Sequence, residues 1–401
     1  RGGGIFPRSQ KLITLSKAAA EAIGLDKQKA SPFEIMQAIL KADAELMWFG
    51  GIGTYIRASD ERDAEVGDRA NDPIRITARQ VRAKVLGEGA NLGLTQRARI
   101  EYGLRGGRCN SDAIDNSAGV NSSDLEVNIK IAFAGALADG TLERPKRDKL
   151  LAAMTGSVAD LVLRNNYEQT LTISRAERRK AANLALQARL MTSLEERGML
   201  DRQVELLPDE ETLAERRQAS QGLSRAEIGV LLSYAKLVLF DDLARSQLPD
   251  DPYLERDLFA YFPPRMREAY ADRIAGHRLR REIIATQLAN QVVNRGGPSV
   301  VSRFEDATGM LPSGITRAHV ICRDAYDIEA LHGAIDALDN KVSGDAQMQI
   351  YDELAEALRT AIGQYLKCGD MTGPIGPAVE RLAGTRAALE PELMRIAPDY
   401  L

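Results

Sequence analysis

The chain has 401 residues, of which 44% are hydrophobic and 27% are charged. This is an ordinary globular profile with room for two or three domains. The formal net charge of −4 gives no sign of a nucleic-acid-binding protein, since that function is usually marked by a basic surface. No apolar run approaches the roughly 20 residues needed to span a bilayer, so we expect no membrane association.

The number and spacing of the cysteines and histidines bear on whether the protein contains disulfides or a metal site. Cys109, Cys322 and Cys368 lie far apart, and the chain has only three histidines. These numbers argue against a disulfide framework, a thiolate zinc site and a histidine-rich metal site. Sparse, unpaired cysteines are typical of a reducing compartment, so we predict a cytoplasmic protein with no bound metal. The first seven residues contain neither a methionine nor a signal-peptide segment, and we expect a fragment of a longer polypeptide.

Residues 1–140 mix short apolar runs, glycine-rich turns and short helices. Residues 31–34 (SPFE) have the N-cap serine, N1 proline and N3 acid of a capping box. The helix that they begin is predicted to bury an apolar stripe, which consists of Ile35, Met36, Ile39 and Leu40. Residues 46–49 predict a buried strand, and residues 83–86 predict a second strand before a glycine turn. The alternation of helices and strands predicts an open α/β layer.

From residue 141 onward the strand signals fade, and residues 141–401 are predicted to be entirely helical. The tetrapeptide Ser-Arg-Ala-Glu occurs at 174–177 and again at 224–227, and each copy is predicted to begin a helix as a capping box. Gly198 suits the position just after the first of these helices. We therefore predict two domains that meet at about residue 140, an α/β domain followed by a large all-α domain.

A glycine-rich turn, residues 87–93 (GEGANLG), follows the second predicted strand and precedes a helix that begins near Thr95. Such a turn can be a dinucleotide phosphate loop, in which glycines admit a diphosphate to a helix N-terminus. The carboxylate of Glu88 argues against that function, because it would repel the diphosphate. A purely structural turn is the alternative. Residues 50–53 (GGIG) are similarly weak as a phosphate loop.

A second turn, residues 115–126 (DNSAGVNSSDLE), follows about one supersecondary unit later. Asn91 in the first turn and Asn116 in the second each offer a hydrogen-bond donor and an acceptor. The two motifs resemble the cofactor and substrate turns of glutamate dehydrogenases, in particular the large NAD-specific form of bacteria. The similarity extends more weakly to residues 163–167 (LRNNY) and 292–295 (VVNR).

The resemblance implies a fold and a set of binding residues. Residues 1–140 would be part of a Rossmann-type dinucleotide-binding domain for NAD. Asn91 would contact the ribose next to the nicotinamide, and Asn116 would orient the nicotinamide carboxamide. Gly51 and Gly89 would line the cofactor cleft. The chain has Asn-Ser-Ala-Gly-Val where the family has Asn-Ala-Gly-Gly-Val, so small size is kept while two residues differ.

The same resemblance assigns Ser123, seven residues after Asn116, to the side-chain carboxylate of the substrate and so favours glutamate. Each assignment has a structural alternative. Asn116 could occupy a left-handed turn position, and Ser122 and Ser123 could simply cap a helix. We expect Glu126 to pack or pair structurally rather than to transfer protons.

The implied activity is NAD-dependent oxidative deamination of L-glutamate to 2-oxoglutarate and ammonia by a homo-oligomer. The family's catalytic lysine and aspartate belong to a domain that precedes the cofactor domain, and nothing in residues 1–401 matches their motifs. We therefore assign no catalytic residue and expect the chain to be inactive alone. Three alternatives remain open: a helical regulatory or oligomerisation module on a non-catalytic α/β scaffold, a dehydrogenase of another amino acid, and NADP as the cofactor.

Overall fold

The computed structural model describes residues 4–396. The strands are β1 Ile13–Thr14, β2 Lys29–Ala30, β3 Leu46–Phe49, β4 Ile56–Arg57, β5 Ile76–Thr77 and β6 Val85–Glu88. The helices of the first part are α1 Lys17–Ala22, α2 Pro32–Leu40, α3 Asp63–Val66, α4 Gln96–Leu104 and α5 Asp112–Asp115. The helices that follow are α6 Ser117–Ala138, α7 Arg144–Arg178, α8 Leu184–Glu196, α9 Glu210–Gln218, α10 Arg225–Arg245, α11 Glu255–Tyr261, α12 Pro264–Ala269, α13 Ala271–Ala275, α14 Arg280–Gly296, α15 Val300–Thr308, α16 Pro312–Ala325, α17 Ile328–Asp336, α18 Gly344–Cys368 and α19 Ile375–Ile396.

The chain divides into two compact units. The first comprises the described residues as far as Asn121, with Arg179–Leu184 and Asp201–Val230. The second comprises Ser122–Arg178, Ala185–Leu200 and the described residues from Leu231 onward. All of the strands lie in the first unit, and residues 141–396 contain helices but no strand. The prediction of an α/β part followed by an all-helical part is therefore confirmed at this level, and the boundary at about residue 140 stays a prediction.

The strands of the first unit form three separate pairs. β1 and β2 are antiparallel, whereas β3–β6 and β4–β5 are parallel. The predicted strand at 46–49 is confirmed as β3, and its partner lies two residues later than predicted because Gly87 and Glu88 pair with Trp48 and Phe49. The prediction that the strand at 46–49 is buried was wrong, since Leu46 and Trp48 are 57% and 59% exposed.

The core of the first unit lies on the other face of the β3–β6 pair. Phe49 and Leu86 are buried there together with residues from β4, β5 and α4.

The capping box of α2 is confirmed, because the Ser31 amide donates to Glu34 and the Glu34 amide donates to Ser31 Oγ. The predicted stripe of α2 is only partly correct, since Leu40 is buried whereas Ile39 is 47% exposed.

The two copies of Ser-Arg-Ala-Glu have different structures. Ser224 caps α10 as predicted, with reciprocal hydrogen bonds between Ser224 and Glu227. Ser174 lies inside α7 and donates through Oγ to the carbonyl of Thr170 at 2.9 Å, so the predicted helix start there was wrong. The turn after α8 is confirmed, because Gly198 has a φ of 68° and Met199 donates to the carbonyl of Leu194, the pattern of a Schellman motif.

The described residues of the second unit form helices but no strands. This helical unit holds buried charges in pairs. The guanidinium of Arg323 in α16 donates to Asp257 at 3.0 Å and to Asp324 at 2.7 Å, and all three side chains are less than 10% exposed. Such pairing offsets the cost of removing the charges from water. No helix within residues 4–396 is both long and apolar enough to cross a membrane.

Candidate functional site

Two turns of the first unit begin where the parallel strands β3 and β6 end. The amides of Gly89 and Ala90 both donate to the carbonyl of Phe49, at 2.9 and 3.1 Å. These bonds hold the start of the turn that contains Asn91 (the Asn91 turn, residues 87–93) against the last residue of β3. In parallel α/β sheets, ligands bind outside the carboxyl ends of the strands, so this edge of the β3–β6 pair is the candidate site.

The glycines of the turn make room for Trp48, whose indole lies across β6. A Cβ atom on Gly87 would approach Trp48 Cε3 to 2.7 Å, and one on Gly89 would approach Trp48 Cζ2 to 2.6 Å. Packing against Trp48 is therefore sufficient reason for both glycines. A Cβ on Gly51, in the turn after β3, would meet no atom within 4 Å, so local packing does not require a glycine there.

The two asparagines that the sequence singled out are joined directly. Asn116 Nδ2 donates to Asn91 Oδ1 at 2.9 Å across a sequence separation of 25 residues. Asn116 ends α5 with a φ of −96°, so the left-handed alternative for this residue was wrong. Within the described part of the chain, neither side-chain amide makes another hydrogen bond. The pair thus presents one unused NH₂ group and one unused carbonyl oxygen, whichever way the two amides are oriented.

Carboxylates of α5 hold the Asn91 turn by its backbone. Asp112 Oδ2 accepts from the amide of Leu92 at 3.1 Å, and Asp115 Oδ2 accepts from the amide of Glu88 at 3.1 Å. Asp115 Oδ1 also accepts from Asn110 at 2.7 Å. Burial raises the pKa of Asp115, although these hydrogen bonds oppose the shift. The short helix that carries Asn116 therefore also positions the turn that carries Asn91.

Glu88 points into the protein rather than into the turn. Its carboxylate is 2% exposed and contacts Arg99 at 2.8 Å, and it accepts from the amide of Leu94 at 3.1 Å. Burial raises the pKa of Glu88, and the guanidinium of Arg99 opposes that shift. The prediction that Glu88 would repel a diphosphate assumed that its carboxylate faces the inside of the turn. This assumption was wrong, because the carboxylate is buried and paired with Arg99.

The turn after β3 is also fixed by specific contacts. Gly53 has a φ of 134°, and a Cβ there would lie 2.5 Å from Asn71 Nδ2. Asp68 accepts from the amide of Thr54 at 2.8 Å and from Asn71 at 2.7 Å, and these hydrogen bonds lower the pKa of Asp68. Both turns that border the candidate site are thus held by buried or partly buried polar groups.

Ser123 lies in the second turn of α6, seven residues after Asn116, with an exposed side chain. Because α6 begins at Ser117, neither Ser122 nor Ser123 is at the N-cap, and that alternative was wrong. Glu126 forms an exposed ion pair with Lys130 at 2.6 Å, as expected for a structural side chain. The role of Ser123 in binding stays a prediction.

The residues that support the two asparagines were not predicted from the sequence. Arg99, Asp112 and Asp115 act across 11 to 27 positions of sequence, and no local motif marks them. The only available signal was the position of Asp115 immediately before Asn116. Within residues 4–396 no group of three or more histidines, cysteines and carboxylates is arranged to hold a metal ion.

Two protein families match this chain. A family described as "Bacterial NAD-glutamate dehydrogenase, catalytic domain" matches residues 1–176, and one described as "Glutamate dehydrogenase, C-terminal" matches residues 220–400. Both matches agree with the resemblance of the two asparagine turns.

Individual relatives agree with these matches. The NAD-specific glutamate dehydrogenases of Pseudomonas aeruginosa and Halomonas elongata are 46% and 45% identical over 366 residues, which are 91% of this chain and 23% of each relative. That of Mycobacterium tuberculosis is 41% identical over 325 residues, 80% of this chain and 20% of the relative. The chain belongs to the bacterial NAD-specific glutamate dehydrogenases and spans about a quarter of the length of these relatives.

Proposed function

We propose that the chain is part of an enzyme that catalyses NAD-dependent oxidative deamination of L-glutamate to 2-oxoglutarate and ammonia. It would contribute part of a Rossmann-type cofactor domain and the helical region that follows. The catalytic lysine and aspartate of the family would lie outside residues 1–401, so the chain alone would not turn over substrate. The family membership and the relatives named NAD-specific glutamate dehydrogenase support this function.

The observation that carries the proposal is the bond between Asn91 and Asn116. A primary carboxamide, such as that of nicotinamide, needs one hydrogen-bond acceptor for its NH₂ group and one donor for its carbonyl oxygen. The asparagine pair offers one unused group of each kind, at the carboxyl end of two parallel strands. The residues therefore fit the nicotinamide end of NAD, although the glycine fingerprint for its diphosphate is not recognisable in this sequence.

The proposal gives each residue a defined task. Asn116 would fix the plane of the carboxamide together with Asn91, which would also contact the adjoining ribose. Gly51 and Gly89 would line the cleft, and Ser123 would donate a hydrogen bond to the side-chain carboxylate of glutamate. When bound, NAD accepts the hydride that leaves Cα of glutamate. The residues present orient the ring for that transfer, which is a contribution of positioning rather than of acid–base chemistry.

We further propose that the enzyme is a cytoplasmic homo-oligomer. Cys109 and Cys322 are buried and free, and Cys368 is exposed and free, which supports a reducing compartment. The oligomeric state rests on the resemblance to the family.

The asparagine pair can be tested in the intact enzyme that contains this chain. Asn91→Asp keeps a bond to Asn116 but replaces the pair's free NH₂ group by a carboxylate oxygen, and Asn116→Ala removes the pair. A lost hydrogen bond of about 1–2 kcal/mol corresponds to an increase of roughly five- to thirty-fold in KM for NAD. Ser123→Ala is the comparison variant, because it should raise KM for glutamate and leave KM for NAD unchanged. Initial rates of NADH formation measure all three.

The wild-type enzyme should use L-glutamate with NAD in a panel of amino acids and both nicotinamide cofactors. Unchanged KM for NAD in both asparagine variants would refute the assignment of the pair. Absence of turnover with every amino acid would refute the proposed activity itself.

A further inference from the structure

Leu92, the residue after Asn91, has an unusual combination of backbone and side-chain positions. Its φ is 63°, in the left-handed region that residues with a Cβ atom rarely adopt. Its side chain is 61% exposed, so burial in the core of its own unit does not compensate for the strained backbone. Glycine would adopt this conformation without strain. A strained residue with an outward apolar side chain next to a candidate site indicates a functional contact.

The surrounding structure holds Leu92 in this conformation from both sides. Asp112 Oδ2 accepts the Leu92 amide at 3.1 Å, and Asn91 on one side is bonded to Asn116. On the other side, beyond Gly93, the amide of Leu94 donates to Glu88 Oε1 at 3.1 Å. The direction of the Leu92 side chain is thus set before any ligand binds.

The chemistry of the immediate surroundings indicates the kind of ligand. The unused donor and acceptor of the asparagine pair suit a planar amide, and the exposed leucine beside them suits an apolar ring face. An aromatic ring that carries a primary carboxamide combines both features. We propose that Leu92 is a cofactor-binding residue whose side chain packs against the nicotinamide ring that Asn91 and Asn116 hold by its carboxamide. This inference rests on the proposed function.

The test separates ligand contact from structural packing. In the intact enzyme, Leu92→Gly should weaken NADH binding about tenfold or more, because the apolar contact is lost. It should leave KM for glutamate unchanged. The melting temperature of the free protein should stay the same or rise, because the substitution relieves the left-handed backbone. NADH binding is measured by the fluorescence of the bound coenzyme, and stability by differential scanning calorimetry without ligand.

The chain offers a matched control in Leu206, another left-handed leucine, with a φ of 55° and 36% exposure. Leu206→Gly should relieve similar strain and leave NADH affinity unchanged. Leu92→Met keeps an apolar side chain and should bind NADH within about twofold of the wild type, since unbranched methionine fills similar volume.

Three outcomes would overturn the inference. If Leu92→Gly binds NADH normally while the asparagine variants do not, Leu92 makes no ligand contact and the proposed function survives. If Leu92→Gly lowers the melting temperature by several degrees, the side chain is a structural element. If the unsubstituted enzyme does not bind NADH at all, the inference and the proposed function both fail.

Discussion

Arg99 supports the Asn91 turn through two carboxylates. Its side chain is 3% exposed and contacts Glu88 at 2.8 Å and Asp112 at 3.4 Å. The partner carboxylates support the turn through the amides of Leu94 and Leu92. One guanidinium thus neutralises the two carboxylates that fix the backbone on either side of Gly93.

We predict that Arg99→Met destabilises the first unit by about 3–5 kcal/mol, since it leaves the buried carboxylate of Glu88 unpaired. Adding Glu88→Gln should recover part of this loss, because the glutamine oxygen can still accept from the Leu94 amide without carrying a charge. Trp48 is the only tryptophan among the 401 residues, so its emission during urea unfolding follows this unit. If the double variant is destabilised by the sum of the single effects, Arg99 and Glu88 are not coupled.

Residue types predicted the candidate pair, whereas supporting contacts could not be predicted. Asn91 and Asn116 were predicted from their positions in the two motifs that resemble the family's turns, and the structure joins them. Glu88 does not face an anion in the turn, because alternate residues of a strand face opposite sides. Glu88 follows Gly87 in β6 and therefore points to the buried face. Its partner Arg99 lies on α4, and their pairing depends on how the helix packs rather than on any local pattern.

At the level of single helices, the two copies of the tetrapeptide Ser-Arg-Ala-Glu show how the same local sequence behaves in two structural contexts. Ser224 ends an irregular segment and caps α10, and Glu227 there is fully buried against Arg216 at 2.9 Å. Ser174 lies within α7 and bonds back to Thr170. Identical local sequences thus begin one helix and continue another.

We predict that Ser224→Ala costs about 1–2 kcal/mol, because it removes a buried N-cap. Ser174→Ala should cost less than Ser224→Ala, since alanine has the higher helix propensity and no helix cap is lost at position 174. Thermal unfolding followed by circular dichroism compares the two. Equal losses in both variants would contradict the assignment of a cap to Ser224 alone.

The difference between the two copies explains why helix boundaries were only partly predictable. Residues 157–173 contain neither glycine nor proline, so a helix that begins at Arg144 can continue through Ser174. Ser224 is preceded by Gly222, and a Cβ there would lie 2.8 Å from the backbone of Lys180. Ser220 nearby has a φ of 54°. A capping box therefore marks a helix start only where the preceding residues leave the helical conformation.

At the scale of the whole molecule, the sequence predicted secondary-structure class better than sheet arrangement. The absence of strand signals after residue 140 correctly predicted helices, because helical periodicity is a local property. The strands pair as three separate two-stranded sheets, and the pairing of β3 with β6 spans nearly 40 residues. Such long-range pairing depends on burial and packing rather than on short-range sequence.

The three histidines of the chain, His277, His319 and His332, are all buried in the helical unit. Burial lowers the pKa of each, to about 3 for His319 and for His332. Arg295 and Arg175 lower the pKa of His332 further. His277 is fixed as a neutral ring, since its Nδ1 accepts from the Leu279 amide while Nε2 contacts the Asn128 carbonyl.

These shifts predict that the helical unit loses stability in mild acid. Below the unfolded pKa of about 6.5, the unfolded chain binds protons that the folded chain excludes, so the free energy of unfolding falls as the pH falls. The loss is up to about 1.4 kcal/mol per pH unit for each histidine. Above about pH 7.5 all three rings are neutral in both states and contribute almost no pH dependence.

Urea unfolding followed by circular dichroism at pH 7.5, 6.5 and 5.5 measures this loss. Glu305 and Glu329 act in the opposite direction, because burial raises their pKa and a folded state that keeps a proton is favoured at lower pH. The histidine contribution must therefore be isolated with a variant. His332→Gln should reduce the slope between pH 6.5 and 5.5 by roughly 0.7 proton, because the unfolded ring is about half protonated at pH 6.5 and about nine-tenths protonated at pH 5.5. An unchanged slope would mean that the ring becomes protonated in the folded protein, in spite of the arginines around it.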